Sequence, residues 1–327
     1  MTTYKEIKGT QIEVLSSDPS NPVEGQVWYN STSNVLKGQA ATAAGSWASG
    51  GALNQGREQN SGLSVGTQTA GLLYGGDTPT PGGTVNTETY NGSNWTEVNN
   101  MNSSRRSGGG YGTQSSAMSG ASFLGNSGET NKTEVWNGTN WTEVANLNTT
   151  RAGGAGAGTS DEGLLFAGNN GSNDVAVNES YNGSSWTEIT DLNTARNYLS
   201  GLGTTTSAIA FGGETSSVTG VTELYNGTNW TEVNDLNTAR TRSGGAGTDS
   251  TSALAYGGGT PSAVANTELW NGTNWTETTD ISSARNAGGS SGTATAALYS
   301  GGNPGKVTTT EEFTGAGAGV TRTFTDS

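Results

Sequence analysis

The stretch Tyr225-Asn226-Gly227-Thr228-Asn229-Trp230-Thr231-Glu232 decides how the chain is read. Aromatic residues flank an Asn-Gly pair, and Thr-Glu follows. Asn-Gly suits the positive φ angles of a two-residue hairpin turn or a slightly longer loop, and aromatic residues suit the strands on either side. The same pattern returns at 90–97, 136–143, 181–188 and 270–277. A unit that recurs this closely builds a repeat architecture.

The period follows from the tryptophans. Trp47, Trp95, Trp141, Trp186, Trp230 and Trp275 stand 44 to 48 residues apart. Ten residues after each comes an arginine: Arg57, Arg105, Arg151, Arg196, Arg240 and Arg285. Most are preceded by Leu-Asn or a close variant, as in Leu192-Asn193-Thr194-Ala195-Arg196. A Gly-rich stretch comes next, then an apolar run into Gly-Gly, then a variable loop. Seven residues before the tryptophan stands Glu88, Glu134, Glu179, Glu223 or Glu268, and Glu311 opens a sixth copy without its Trp. Four short strands per ~45 residues is the size of a propeller blade. The expected fold is all-β, a six-bladed β-propeller over 41–327 behind a short N-terminal β-hairpin docking arm, 1–40. Trp47 lacks the preceding aromatic-Asn-Gly, so its strand is expected to complete the last blade. The stretch 320–324 is the other candidate.

Composition narrows the function classes. Only 30% of residues are hydrophobic and 53 are Gly, yet nine Trp at regular intervals argue for a thin repeated core rather than disorder. A formal charge of −14 carries no basic stripe for nucleic acid and opposes an anionic membrane. The chain has no Cys and no His. This removes disulfides, the commonest zinc and copper ligands, and Ser-His-Asp or Cys-His catalysis. No signal peptide and no membrane-spanning apolar run is visible. No cofactor, catalytic or metal site is expected, and calcium loops of the Asp-x-Asp-x-Asp-Gly kind are absent.

The repeated residues read as structure. Trp once per repeat is a plug between blades rather than a sugar-stacking surface. The six Arg and six Glu are expected to form Arg-Glu or Arg-carbonyl contacts that stitch strands or blades. Glu97, Glu143, Glu188, Glu232 and Glu277 repeat too regularly for an active site and read as a solvated outer strand. The Asn-Gly-Ser/Thr sequons at Asn91, Asn137, Asn182, Asn226 and Asn271 read as turns. Gly-Gly with no helix behind it is close-approach backbone, not a phosphate loop.

The run Ala253-Leu254-Ala255-Tyr256-Gly257-Gly258, the aromatic Trp270, the following Trp275 and Arg285 beyond it resemble the kelch family. The resemblance covers about 47–315 and implies a propeller. The short aromatic-to-Trp spacing and low apolar content depart from the family, so its partners are not carried over. Galactose-oxidase-like copper chemistry would need the missing His and Cys. Sialidase-like chemistry would need an Arg cluster and a Tyr nucleophile in a central pocket, which six register-locked Arg do not supply. An intracellular kelch adaptor would need a partner domain.

Recognition is expected where the repeats differ. The loops after Gly-Gly diverge at 77–86, 126–132, 169–178, 214–221, 259–266 and 303–309, on the same face as the Leu-Asn-x-x-Arg connections. Candidate partner-binding residues are Asp77, Thr78, Asn126, Asn169, Asn170, Glu214, Thr260 and Asn303, with Trp28 and Tyr29 in the arm. The segment 16–30, running on to Leu36-Lys37-Gly38, resembles the start of virion proteins of marine tailed phages. That resemblance implies a non-enzymatic tail or tail-fibre component with several copies per particle. Residues 1–40 would dock on other virion proteins, with a host-surface glycan or protein receptor as a further partner. Capsid-surface decoration is the alternative placement.

Overall fold

The computed structural model describes residues 12–19, 26–39, 45–59, 64–79, 82–315 and 321–324. The described residues contain no helix; they form short strands joined by turns. The chain divides into two compact units: 1–45 with 315–327, and 46–314.

The larger unit is a propeller-like array of four-stranded antiparallel sheets. The sheet around the opening hairpin shows the plan. Ser200–Gly203 pairs with Ala208–Phe211, which pairs with Thr222–Tyr225, which pairs with Trp230–Val233. The first strand is Gly-rich. The second is buried throughout because its Ala, Ile and Phe pack on both faces. The fourth, Trp-Thr-Glu-Val, buries its Trp and exposes Thr231 and Glu232. Sheets of the same order start at Ser64–Thr67, Gly109–Thr113, Ala155–Thr159, Gly244–Asp249 and Gly289–Thr293. In the last, the fourth strand is Ser46–Ser49, with Trp47 opposite Phe313. The other candidate for that position, Thr321–Phe324, pairs instead with Val35–Gln39 in the smaller unit.

The Asn-Gly turn is longer than two residues. Tyr225 pairs directly with Trp230, so four residues form the loop. Gly227 takes the positive φ of +91°. Asn226 instead turns its Oδ1 inward to accept the N–H groups of Thr228 and Asn229, each at 2.9 Å. A short polar side chain that holds two amides replaces the tight primed turn.

Hydrophobic cores lie between neighbouring sheets. One holds Leu164 and Phe166 of the third sheet with Ala208, Tyr225 and Trp230 of the fourth. Three tryptophans lie against an aromatic that ends the second strand of the preceding sheet: Trp141 on Tyr74, Trp230 on Phe166 and Trp275 on Phe211, with centroids 4.7–5.0 Å apart. Thin cores need close approach, and glycine provides it. A Cβ at Gly201 would lie 2.5 Å from Phe166 Cζ, and one at Gly163 would lie 2.1 Å from Tyr111. The low apolar content thus reflects several small inter-sheet cores instead of one large one.

The smaller unit pairs Glu13–Leu15 in parallel with Val27–Asn30, which forms a hairpin with Val35–Gln39. Asp18 ties it together. Its carboxylate accepts from Lys37 Nζ at 2.7 Å, Asn30 Nδ2 at 2.8 Å and Trp28 Nε1 at 3.1 Å. Of the expected arm over 1–40, residues 1–11, 20–25 and 40 lie outside the described residues.

Candidate recognition face

Each connection between sheets carries the Leu-Asn-x-x-Arg motif or a close variant and is latched to the sheet that follows. Arg196 bonds to Glu223, and Asn193 gives Glu223 Oε2 its backbone N–H at 2.7 Å and its Nδ2 at 2.8 Å. Asn193 Nδ2 also reaches the carbonyl of Trp230 at 3.1 Å. The same contacts join Arg57 to Glu88, Arg105 to Glu134, Arg151 to Glu179 and Arg240 to Glu268, and Arg285 to Glu311. In the sixth, Ser282 supplies its N–H in place of Asn. All twelve side chains are at least 97% buried. Burial pushes the Arg57 guanidinium down to about 10 and lowers Arg105, Arg151, Arg196 and Arg240, which all stay cationic at neutral pH beside their carboxylates. Their terminal guanidinium nitrogens are engaged with carboxylates and backbone carbonyls, while the Nε of Arg57, Arg151, Arg240 and Arg285 is buried without a partner.

Beyond the arginine, the chain meets the loop that follows the apolar run of its own sheet. Short β-bridges join Glu58 to Asp77, Ala152 to Asn169, Asn197 to Glu214, Thr241 to Gly259 and Asn286 to Asn303. They gather the divergent loops at one end of the array. There Asp77 is half-buried and accepts from Lys306 Nζ at 2.9 Å, while Thr78 is buried and its carbonyl accepts from the same ammonium at 2.6 Å. Asn126, Asn170 and Asn303 are exposed; Asn169, Glu214 and Thr260 are half-buried. Asn169 Nδ2 donates to Asp174 at 2.9 Å, and Asn170 Oδ1 caps Ser172 and Asn173. Trp28 and Tyr29 belong to the smaller unit. Trp28 is fully buried with its Nε1 on Asp18, so neither it nor Thr78 offers a side chain to a partner on an open surface. Tyr29 is half-buried and its hydroxyl donates to Asn34 at 3.2 Å.

The sequence reading passed over the two residues after each arginine. Here the repeats diverge most sharply: Glu58-Gln59, Arg106-Ser107, Ala152-Gly153, Asn197-Tyr198, Thr241-Arg242 and Asn286-Ala287. The second residue of each pair has a positive φ, between +45° and +70°. Left-handed backbone is uncommon for Tyr and Arg. It is held by a series of bonds from repeat to repeat. Ser107 N–H donates to Gln59 O, Gly153 to Ser107, Tyr198 to Gly153, Arg242 to Tyr198 and Ala287 to Arg242, at 2.7–2.9 Å. These residues immediately precede the Gly-rich first strands. Those strands line a cavity of about 120 Å³ walled by Gly, Ala and Ser with Tyr111, Leu199 and Leu202.

Charge gathers at the same level. Lys306 lies 4.0 Å from Glu58, whose carboxyl is pushed up by burial and drawn back by Lys306. Arg106 stacks on Phe123 at 4.7 Å and donates to Gln59 Oε1 at 3.0 Å. Arg242 stacks on Tyr198 at 3.9 Å. The end that carries the Asn-Gly turns offers caps and backbone instead, as at Asn91, Asn137, Asn182 and Asn271. No group of three or more His, Cys, Asp and Glu suited to a metal occurs among the described residues. The face is chemically suited to hold a polar or charged partner through Arg, Lys, Tyr, Asn and carboxylate groups. No protein-family model matches the chain, and no curated protein matches it.

Proposed function

We propose that residues 46–314 form a six-bladed, kelch-like β-propeller, closed where Ser46–Ser49 joins the last sheet. In this reading the protein is a non-enzymatic tail or tail-fibre component of a tailed-phage particle. Closure is supported by contacts between the first and last sheets. Gly302 N–H donates to Arg57 O at 2.8 Å, Trp95 Nε1 donates to Thr310 Oγ1 at 2.9 Å, and Leu298 packs with Leu53, Leu73, Tyr90 and Trp95.

The observation that carries the functional reading is the division of labour within each repeat. The recurring Arg and the Glu seven residues before each Trp are buried in latches, and the divergent charged residues meet at a single face. A binding scaffold has this form: uniform supports and individual loops. The virion setting rests on the likeness of the N-terminal segment to phage structural proteins. The arm seats the protein among its neighbours, and the divergent face meets a neighbouring protein or the host surface.

The test is to identify the protein in purified particles by mass spectrometry and to locate an epitope-tagged full-length chain by immunogold electron microscopy. Label on the tail is the expected result. Particles purified to constant composition without the protein would overturn the reading, and label on the capsid surface would replace tail by capsid decoration.

A further inference from the structure

Arg242 is set apart from the six latch arginines and from Arg106. The six latch arginines and Arg106 all donate to oxygen acceptors. Arg242 donates no side-chain hydrogen bond to a described residue and forms no ion pair within 4 Å with one; its Nε is buried without a partner, as are those of Arg57, Arg151, Arg240 and Arg285, but no other nitrogen of its guanidinium compensates. Yet it is not loose. Its guanidinium lies 3.9 Å above the Tyr198 ring, and its backbone N–H is tied to Tyr198 O at 2.9 Å. Tyr198 leans in turn on Gly153, where a Cβ would come within 3.2 Å of its ring. Gly153 therefore makes the room that Tyr198 fills, and Tyr198 fixes the plane of Arg242. Both large residues hold left-handed backbone, at φ +50° and +55°. The equivalent residue of every repeat shares this conformation, so the backbone fixes where both side chains start.

A rigid guanidinium with unfilled donors is suited to the bidentate recognition of a carboxylate. The surroundings refine the ligand. Glu58 adjoins Gln59, which heads the backbone series that includes Arg242, and its carboxylate lies 4.0 Å from Lys306, so an acceptor carboxylate stands in the same ring of residues as the free fork. Glu58, Asp77 and the net charge of −14 disfavour a polyanion or a doubly charged phosphate. They favour a ligand that places one negative group beside neutral hydroxyl donors. Sugars of the uronic type have that pattern.

We infer that Arg242, stacked on Tyr198, binds the carboxylate of an acidic saccharide whose hydroxyls reach Glu58. This rests on the reading of the divergent face as a recognition surface. The test is calorimetric titration of the full-length protein with methyl galacturonide, methyl galactoside and inorganic phosphate. The acidic sugar is expected to bind saturably, and Arg242→Gln is expected to weaken it at least tenfold with an unchanged melting curve, since that side chain donates no hydrogen bond. Arg242→Lys, which keeps the charge but loses the fork, is expected to fall between. Equal affinity in Arg242→Gln, equal binding of the neutral sugar, or no saturable binding of the acidic sugar by folded wild-type protein would each overturn the inference. Failure here is separable from failure of the virion assignment. A chain found in particles that ignores the acidic sugar loses only its ligand.

Discussion

Arg240 and Arg242 are two residues apart and have opposite surroundings. Arg240 is buried, paired with Glu268 at 3.0 Å and bonded to the carbonyls of Asn266 and Ala255. Arg242 is half-exposed, rests on an aromatic ring and has no acceptor. The first occupies a position filled by arginine in all six repeats; the second occupies one where no two repeats agree. Position in the repeat, not residue type, separates a buried support from an arginine with open donors.

The largest test of this contrast is to remove each arginine in turn. Arg240→Ala leaves Glu268 buried without its cation, and is expected to cost about 3–5 kcal/mol in a denaturant or thermal melt. Arg242→Gln should stay within about 0.5 kcal/mol of wild type, as surface substitutions do. Equal losses would erase the distinction. A second repeated support is backbone. Gly203 adopts φ +116°, and a Cβ there would lie 2.3 Å from Ser207 O. Gly203→Ala is expected to cost about 2–3 kcal/mol by the same measurement.

A smaller effect is expected where one repeat falls short of the others. Trp141 and Trp275 donate to Thr87 and Thr222 of the sheet before, at 3.0 and 3.1 Å. Asn178 stands at that position opposite Trp230, and both Trp230 Nε1 and Asn178 Oδ1 are buried without partners. Asn178→Thr supplies the missing hydroxyl and is expected to stabilise by about 1 kcal/mol, seen as a rise of about 2–4 °C in melting temperature. No rise would mean that the repeat tolerates the orphan at no cost.

The mildest test uses acid on the smaller unit. Asp18 is an unrepeated residue with a structural part. The hydrogen bond from Lys37, then those from Asn30 and Trp28, bring its carboxyl down to about 2 from the ordinary 3.8. A depressed folded value favours the folded state above pH 3.8, and this contribution is lost as pH falls through 2. Trp28 fluorescence should therefore change between about pH 4 and 2, and Asp18→Asn should abolish that step. A titration unaffected by the substitution would detach Asp18 from the transition.

Much of the architecture was legible because its devices recur. One Trp, Arg and Glu per ~45 residues, with Gly-Gly in four of the six repeats, gives the period and the four-strand plan without any knowledge of contacts. Turn length was less legible. Asn-Gly marks a hairpin, but Asn226 acts through its side chain and not through a left-handed backbone, which adds two residues to the loop. Burial of single residues was hidden as well. Thr78 stands in a divergent loop and Trp28 outside the repeat, and only the folded chain shows that both are enclosed. Arg242 was missed for the opposite reason. Attention to recurring arginines passes over one that does not recur, although the changing pair after each latch was visible in the sequence. What could not be read is the αL backbone that presents Tyr198 and Arg242, since neither residue type advertises it.

The pairing of Ser46 with Thr314 has a consequence for how the molecule is made. Nearly the whole chain lies between these two strands, so the final sheet is assembled only after synthesis has passed residue 310. Until then Trp47 and Ser46–Ser49 have no partner strand, and a nascent chain carries an exposed edge of the kind that invites aggregation. The second pairing, of Gln39 with Thr321, follows at little further entropic cost, because loop closure depends only weakly on length and the ends are already together. Premature termination just before Thr310 should therefore be far more harmful than loss of the last residues, and the C-terminal stretch serves as a seal on a loop that has already closed.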